Sequence, residues 1–204
     1  MKAAWVCPAL LAVASCGPVP PTSLASGSSE GIVGASSGVP IERYFPIVHD
    51  HRWVYDATND DGVHDTLIVR ARRVSASGGE LVTPRGTRRI VYTPEGVGLV
   101  DRAAFVLKEP LRVGTTWRGE HGGVSRIETV GATITAVAGR FVDCVVTIEE
   151  RGGDVRVTYT TTFCPDVGIV ILEVDTGLQH ERAELRSYGP PVFIGSPGTT
   201  MIEP

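Results

Sequence analysis

Tight-turn signals recur through this chain every 8 to 12 residues, and they leave little room for long helices. The turns read NDDG, SGG, PEG, RGG and DTG, and each is rich in residues that favour sharp reversals of the backbone. Between them lie short stretches of β-branched and aromatic side chains, among them residues 90–92, 127–130, 144–148 and 169–174. Stretches of this length and composition are typical of strands joined by hairpins. The pattern therefore predicts an all-β, antiparallel domain.

The same pattern limits the architecture. Apolar residues show no convincing helical spacing over any window of a dozen residues, although residues 101–108 have room for one or two helical turns before Pro110. We expect about 8–10 antiparallel strands in a single, strongly curved sheet or in an open barrel or sandwich, with little or no helix. The sequence leaves open whether the sheet closes.

The first fifteen residues have the layout of a bacterial export signal. Lys2 supplies a positive charge, a short apolar run follows, and small side chains lead into Cys16. The apolar run is too short to span a bilayer, which takes about 20 helical residues. Residues 13–16, VASC, resemble the lipobox of bacterial lipoproteins. This resemblance implies that the signal peptide is removed and that Cys16 becomes the lipidated N-terminus.

Lipidation of Cys16 implies a location on a membrane of the cell envelope. Each buried CH₂ of an acyl chain contributes about 0.8 kcal/mol, so several chains on one residue make a durable anchor. Gly17 follows the cysteine, where enteric lipoproteins retained in the inner membrane carry an aspartate. We therefore expect the outer membrane or the periplasmic face, and not the cytoplasm.

Composition divides the chain into four parts. Residues 1–15 are the signal peptide, and residues 16–40 are the lipidated cysteine and a flexible tether. Of the 24 residues that follow Cys16 in this tether, 15 are Gly, Pro or Ser. Such a segment has too little apolar surface to form a packed core. Residues 41–188 form the β-domain, which is long enough for a single core. Residues 189–204 are expected to be a loose C-terminal tail.

Two of the four cysteines, Cys144 and Cys164, lie in the β-domain. An oxidising compartment favours a disulfide between them. If residues 152–153 formed a two-residue hairpin turn, Cys144 would face position 161, so the disulfide requires a bulge or another pairing of the strands. Two buried free thiols are the alternative.

Five segments of the β-domain carry a resemblance to known proteins. In chain order they are YFPIVHDHRWVY, EPLRVGTTW, AGRFVDCVVTIEE, FCPDVGIVILE and ELRSY. Together they resemble a group of bacterial envelope lipoproteins related to TapB-like proteins. That group shows a Tyr-x-Pro start, a Gly-x-x-Trp segment, a Pro-Leu-x-x-Gly-x-x-Trp segment and a Gly-Val-Gly-x-Val strand. Here Asp50 or His51 stands where a glycine is expected before Trp53. The resemblance implies a β fold and an envelope location, and it implies no catalytic residue.

Two tryptophans, Trp53 and Trp117, each follow a turn in these segments. We interpret both as core anchors whose indole N–H reaches a backbone carbonyl. Platforms on which a ligand stacks are the alternative.

The most suggestive polar cluster is His49-Asp50-His51. Side chains two residues apart on a strand share a face, so His49 and His51 could both reach one metal ion. His64 or Asp65, from the hairpin that follows, would supply a third ligand of the kind zinc prefers. This cluster is the basis of an alternative hypothesis, a metal-dependent envelope enzyme.

Other candidate chemistry is weaker. GASSG matches the nucleophile-elbow pattern but lies in the tether, without the strand and helix that such a serine needs. Glu149 and Glu150 fall on opposite faces of a strand before a turn, and we interpret them as residues that keep a hairpin soluble. The formal net charge of −4 argues against a nucleic-acid partner.

Charge is unevenly distributed along the β-domain. Residues 70–89 carry six arginines and one acid, whereas residues 143–184 carry nine acids and three arginines. A basic face could meet anionic lipids or a partner, but a solvated surface is the preferred interpretation.

We therefore predict a lipid-anchored, non-enzymatic domain of the cell envelope that acts as a binding or scaffold module. It requires no cofactor. Its predicted partners are the membrane, through the lipid on Cys16, and an apolar ligand or an envelope protein. A hollow concave face would favour a ligand, whereas a filled one would favour a scaffold.

Overall fold

Twelve strands joined mostly by short turns account for almost all of the regular secondary structure. The structure is a computed structural model that describes residues 40–190, so Cys16, most of the tether and most of the tail lie outside the described residues. The elements are α1 (Ile41–Tyr44), β1 (Arg52–Asn59), β2 (His64–Ser75), β3 (Gly78–Thr83), β4 (Gly86–Thr93), β5 (Gly96–Leu99), β6 (Phe105–Lys108), β7 (Thr116–Arg118), β8 (Val124–Ala136), β9 (Gly139–Arg151), β10 (Val157–Cys164), β11 (Gly168–Asp175) and β12 (His180–Gly189). Within residues 40–190 the helical structure is limited to the single turn of α1, far shorter than a membrane-spanning helix.

All twelve strands belong to one antiparallel sheet. Its order is β6-β5-β4-β3-β2-β1-β12-β11-β10-β9-β8-β7, so every neighbour in space except one pair is also a neighbour in sequence. The exception is β1, which pairs with β12 and joins the first half of the chain to the second. The sheet curls into a nearly closed barrel. The predicted all-β, antiparallel fold class is confirmed.

The sheet has more strands than the eight to ten expected, because three are hard to recognise in the sequence. β3 begins with two glycines, and β7 is only three residues long. β6, Phe105–Lys108, is a strand where we expected a helical turn. Its residues pair with β5 from Gly96 to Gly98, and this pairing outweighs the weak local preference for helix.

One end of the barrel is filled. α1 and the segment after it lie across this end, where Tyr44, Phe45 and Ile47 are buried. The hydroxyl of Tyr92 donates to the carbonyl of Phe45 at 2.6 Å and accepts from the amide of Ile47 at 2.9 Å. Gly79 makes room for this plug, because a Cβ at that position would lie 2.6 Å from Cγ2 of Ile47. The chain therefore enters the domain at the closed end, where β12 also ends beside Arg52.

Strands β6 and β7, the two ends of the sheet order, meet at a seam. The indole N–H of Trp117 donates to the carbonyl of Phe105 at 2.9 Å across it. Near the plugged end of the barrel, on β1, the indole N–H of Trp53 donates to the carbonyl of Val167 at 2.6 Å. Both tryptophans are buried, and both bind backbone carbonyls as predicted.

A disulfide joins β9 to β10. Cys144 and Cys164 are both fully buried, and their Cα atoms are 4.2 Å apart. Arg151 is paired with Val157, so the turn between the two strands spans residues 152–156 and not the two glycines alone. This longer turn shifts the register by three residues and places Cys144 directly opposite Cys164.

Candidate functional site

The interior of the barrel is divided between a filled part and a hollow part, and the division follows the size of the side chains. Side chains alternate between the two faces of each strand, and directly paired residues share a face. One inward-facing row contains Tyr55, Leu185, Phe163 and Val145, all at most 3% exposed. These large side chains fill the barrel next to the plugged end and form the floor of the hollow part.

The adjacent inward-facing row, further from the plug, is made mainly of small residues. It runs across six strands through Asp65, Ala57, Ala183, Leu172, Thr161 and Thr147. All six line one cavity. Alanine and threonine cannot reach the centre of a barrel of this width, so the interior stays open at this level.

We call this cavity the cup. Its volume is about 740 Å³, which is within the range of about 300–1,000 Å³ typical of small-molecule sites. Trp53, Tyr55 and Phe163 form an aromatic floor, and Leu67 and Leu81 form an apolar wall on β2 and β3. The side of the cup on β8, β9 and β10 is polar instead.

The polar wall is organised around a buried carboxylate, Glu149. Its side chain is 7% exposed. Oε1 accepts hydrogen bonds from the backbone amides of His121 at 2.9 Å and Gly123 at 2.8 Å. Oε2 lies 3.0 Å from Nδ1 of His121, and the imidazole stacks on Tyr159 with ring centroids 3.7 Å apart. The carboxylate thereby fixes the turn between β7 and β8 against the inner wall.

The pKa of Glu149 reflects these contacts. Burial alone would raise the pKa, since it disfavours the charged carboxylate. The hydrogen bonds from His121 and Gly123, with the charge of the imidazole, outweigh burial and hold the pKa of Glu149 below its ordinary value. Glu149 is therefore a negative charge that the fold has already satisfied, and not a poised proton donor.

The backbone also approaches this carboxylate closely. A Cβ at Gly119 would lie 2.2 Å from Oγ of Ser125 and 2.3 Å from Oε2 of Glu149, so only glycine fits at this position. Ser125, which is 5% exposed, pairs with Glu149 across β8 and β9 and lines the cup. The sequence interpretation of Glu149 as a solubilising residue is wrong, whereas Glu150, exposed and paired with Arg126, fits it.

A second link connects the β7–β8 turn to the far side of the seam. Nη1 of Arg88, on β4, contacts both carboxylate oxygens of Glu120 at 3.0 and 2.9 Å. Nη1 of Arg102 donates to the backbone carbonyl of Glu120 at 2.9 Å. Oε1 of Glu120 lies 3.2 Å from Nε2 of His121. A chain of polar contacts thus runs from β4, across the seam, to the buried carboxylate of Glu149.

The three histidines proposed as metal ligands do not gather. His49 is exposed and lies beside Asp50, with 3.7 Å between Nε2 and Oδ2. His51 is buried against Trp53, with ring centroids 4.5 Å apart. His64 pairs with Thr58 near the other end of β1, roughly 20 Å away along the strand. Among residues 40–190, no three His, Cys, Asp or Glu side chains are placed to hold a metal ion.

The burial of His51 has its own electrostatic signature. Its Nε2 is buried and has no hydrogen-bond partner among the described residues. Burial lowers the pKa of His51, because the charged imidazolium is poorly solvated there. His51 is therefore packed as an aromatic ring against Trp53 at the closed end.

The arginine-rich run does not form an open positive face. Four of its six arginines are paired with carboxylates, namely Arg70 with Asp50, Arg72 with Glu80, Arg88 with Glu120 and Arg89 with Asp101. A fifth, Arg73, donates to the backbone carbonyls of Ser75 and Ile47. Most of the arginines in this run therefore bind carboxylates or carbonyls of the same domain.

Comparison with known proteins finds only distant likenesses. No protein-family model and no curated protein matches this sequence. Two crystal structures are similar in part: a predicted exported protein with a YmcC-like fold from Bacteroides fragilis and a predicted lipoprotein from Parabacteroides distasonis. The first is 12% identical with a TM-score of 0.46 and covers 71% of this chain and 98% of its own. The second is 13% identical with a TM-score of 0.41 and covers 72% and 98%. Likenesses this distant assign neither a family nor a function.

Proposed function

We propose that this protein is a lipid-anchored binding protein of the cell envelope whose cup holds the apolar part of a small amphipathic ligand. The observation that carries the proposal is the hollow row of Ala57, Ala183 and Thr161 above a filled aromatic floor. A scaffold domain gains nothing from an empty interior, since unfilled space loses dispersion contacts. A binding domain gains a site.

The shape of the cup supports a ligand with two different sides. An apolar chain fits against Leu67, Leu81 and the aromatic floor, where its burial contributes about 25 cal/mol per Å². Polar groups of the same ligand can reach the hydroxyls of Ser125 and Tyr159 on the opposite wall. Few convergent polar groups in an otherwise apolar cavity are typical of small-molecule sites.

A matched pair of substitutions tests the cup. Thr161 faces the cup and lines it, whereas its neighbour Thr160 lies on the outer face of the same strand. The test uses the full-length chain with Cys16→Ser, so that acyl chains do not compete, and N-phenyl-1-naphthylamine, an uncharged probe that fluoresces in apolar surroundings. We expect Thr161→Phe to weaken probe binding at least tenfold and Thr160→Phe to leave it within about twofold, since tenfold corresponds to 1.4 kcal/mol.

Displacement separates specific binding from surface adsorption. Dodecyl maltoside should displace the probe from the parent protein and from Thr160→Phe with one shared midpoint. Thermal unfolding of both variants checks that the barrel is intact. Equal probe binding by the two folded variants would contradict the proposal.

The anchor is a separate part of the proposal and rests on the lipobox around Cys16 alone. Signal-peptide removal and acylation would leave the domain on the periplasmic side of a membrane, most simply the outer one, joined to it by the tether of residues 17–40. Cys16→Ser should move the protein from the membrane pellet to the soluble fraction. A mature Cys16 found without lipid by mass spectrometry would contradict this part and leave the cup untouched.

A further inference from the structure

Two carboxylates lie at the mouth of the cup without a positive partner. Asp65 is paired across the sheet with Ala57, and Glu181 is paired with Asn59. Because Ala57 and Asn59 continue the inward face that begins at Trp53, their partners face the cup as well. Both carboxylates are exposed, and neither forms an ion pair with any residue in the described range 40–190.

The positive charges around the cup are largely used elsewhere. Arg88 is held by Glu120, and Arg182 by Glu173 and Glu184. That leaves Arg85, on the turn between β3 and β4, as the lining arginine that has no ion pair with a described residue. Among the described residues that line the cup, the aspartate, glutamate and arginine side chains without a charged partner are therefore two negative and one positive.

The two carboxylates are also separated in a way that suits a headgroup and not a single ion. They lie on opposite sides of β1 and two residues apart along it, so their Cα atoms are about 12 Å from each other. Asp65 and Glu181 thus lie on the same wall of the cup, on either side of β1, and a polar group that leaves the cup along this wall passes close to both.

We propose that the cup selects amphiphiles whose headgroup carries no negative charge, with an ammonium group preferred over an uncharged polar group. This rests on the proposed function, because it assumes that an apolar chain occupies the cup. With the chain on the aromatic floor, a headgroup against the β1 wall lies close to both Asp65 and Glu181. A carboxylate or phosphate there meets like charges, whereas an ammonium group is attracted and can donate hydrogen bonds to them. Glu149 is buried and its oxygens already accept hydrogen bonds from the amides of His121 and Gly123, so its charge acts on a headgroup only from a distance.

Three probes with one chain length isolate the headgroup. Dodecylammonium, dodecyl maltoside and dodecanoate each displace N-phenyl-1-naphthylamine from the full-length Cys16→Ser protein at neutral pH, low salt and concentrations below micelle formation. We expect dodecanoate to bind at least about tenfold more weakly than dodecylammonium, with dodecyl maltoside between them. The difference should shrink at high salt, because the carboxylates are exposed and their field is screened beyond about 3 Å at 1 M.

A double substitution at the mouth tests the cause. Asp65→Asn with Glu181→Gln removes both charges and keeps similar shapes, and we expect it to bring dodecanoate and dodecylammonium within about threefold of each other. Glu42→Gln with Asp143→Asn is the matched control, because it removes the same charge from two exposed positions at the closed end. The control should retain the discrimination of the parent protein.

The outcomes are distinguishable. If dodecanoate binds the parent protein as tightly as dodecylammonium, or if the control abolishes the discrimination as fully as the mouth variant does, the selectivity proposal is overturned and the cup remains a binding site. If the probe binds but none of the three amphiphiles displaces it, the proposed function itself fails.

Discussion

The buried carboxylate of Glu149 makes the sharpest prediction about stability. It accepts three hydrogen bonds as an ion, two from backbone amides and one from the imidazole of His121. Bonds to a charged group contribute about 1.5–3 kcal/mol each and neutral ones about 0.5–1.5, so neutralising the acceptor costs roughly 1 kcal/mol per bond. Glu149→Gln should therefore lower the free energy of unfolding by about 3 kcal/mol, or the melting temperature by roughly 6–12 °C.

The pH dependence of this loss has a definite sign. The pKa of Glu149 is lower in the folded protein than the value of about 4.3 expected when unfolded. Its stabilising contribution is present above that unfolded pKa and disappears as the pH falls through the lowered folded pKa. The gap between parent and Glu149→Gln should be full at pH 6 and should begin to narrow as the pH falls below about 4.

Chemical denaturation at a series of pH values measures the gap, and the next residue supplies the control. Glu150 is on the outer face and forms a half-exposed ion pair with Arg126. Such pairs contribute about 0–1 kcal/mol, so Glu150→Gln should have a small effect. Equal losses for the two variants, or a Glu149→Gln deficit that persists undiminished at pH 3, would refute the assignment of Glu149 as the charge that pins the β7–β8 turn.

Three further predictions concern the rest of the barrel. Burial lowers the pKa of His51, so its stabilising contribution is full above an unfolded pKa of about 6.5 and is lost as the pH falls. His51→Phe should therefore flatten the decline in the free energy of unfolding from pH 7 to 5. A variant as pH-sensitive as the parent would contradict this. Replacing Cys144 and Cys164 together by alanine opens a loop with a sequence separation of 20 and should lower the free energy of unfolding by about 3 kcal/mol. A decrease of less than about 0.5 kcal/mol would show that the disulfide constrains the unfolded chain little. Gly79→Ala should lower the free energy of unfolding by about 1–3 kcal/mol, because its methyl group would lie 2.6 Å from both the carbonyl oxygen of Arg72 and Cγ2 of Ile47. An unchanged denaturation midpoint would contradict this close packing.

The sequence predicted the class of the fold because its signals are local. Turn residues and β-branched stretches determine where a strand starts and ends, and these gave the antiparallel sheet. β6 was not predicted because its four residues show too little local preference for strand, and its strand conformation depends on pairing with β5. The number of strands was therefore underestimated, whereas their type was not.

The site was harder to foresee because it depends on register. That Glu149 faces inward and Glu150 outward follows from which face of β9 meets the core, and alternation alone does not choose between them. The five-residue turn at 152–156 sets the same register and aligns the two cysteines. The hollow row could not be predicted from the sequence for the same reason. Ala57 and Ala183 are far apart in the chain and become neighbours only through the pairing of β1 with β12.

Occupation of the cup by an apolar chain is the central claim, and intermolecular NMR contacts measure it directly. In the full-length Cys16→Ser protein with labelled alanine methyl groups, bound dodecyl maltoside should show nuclear Overhauser contacts from its alkyl chain to the methyls of Ala57 and Ala183, which line the cup. Saturating binding whose only alanine contact is Ala138, on the β8–β9 turn, or binding with no contact to either cup alanine, would contradict the account.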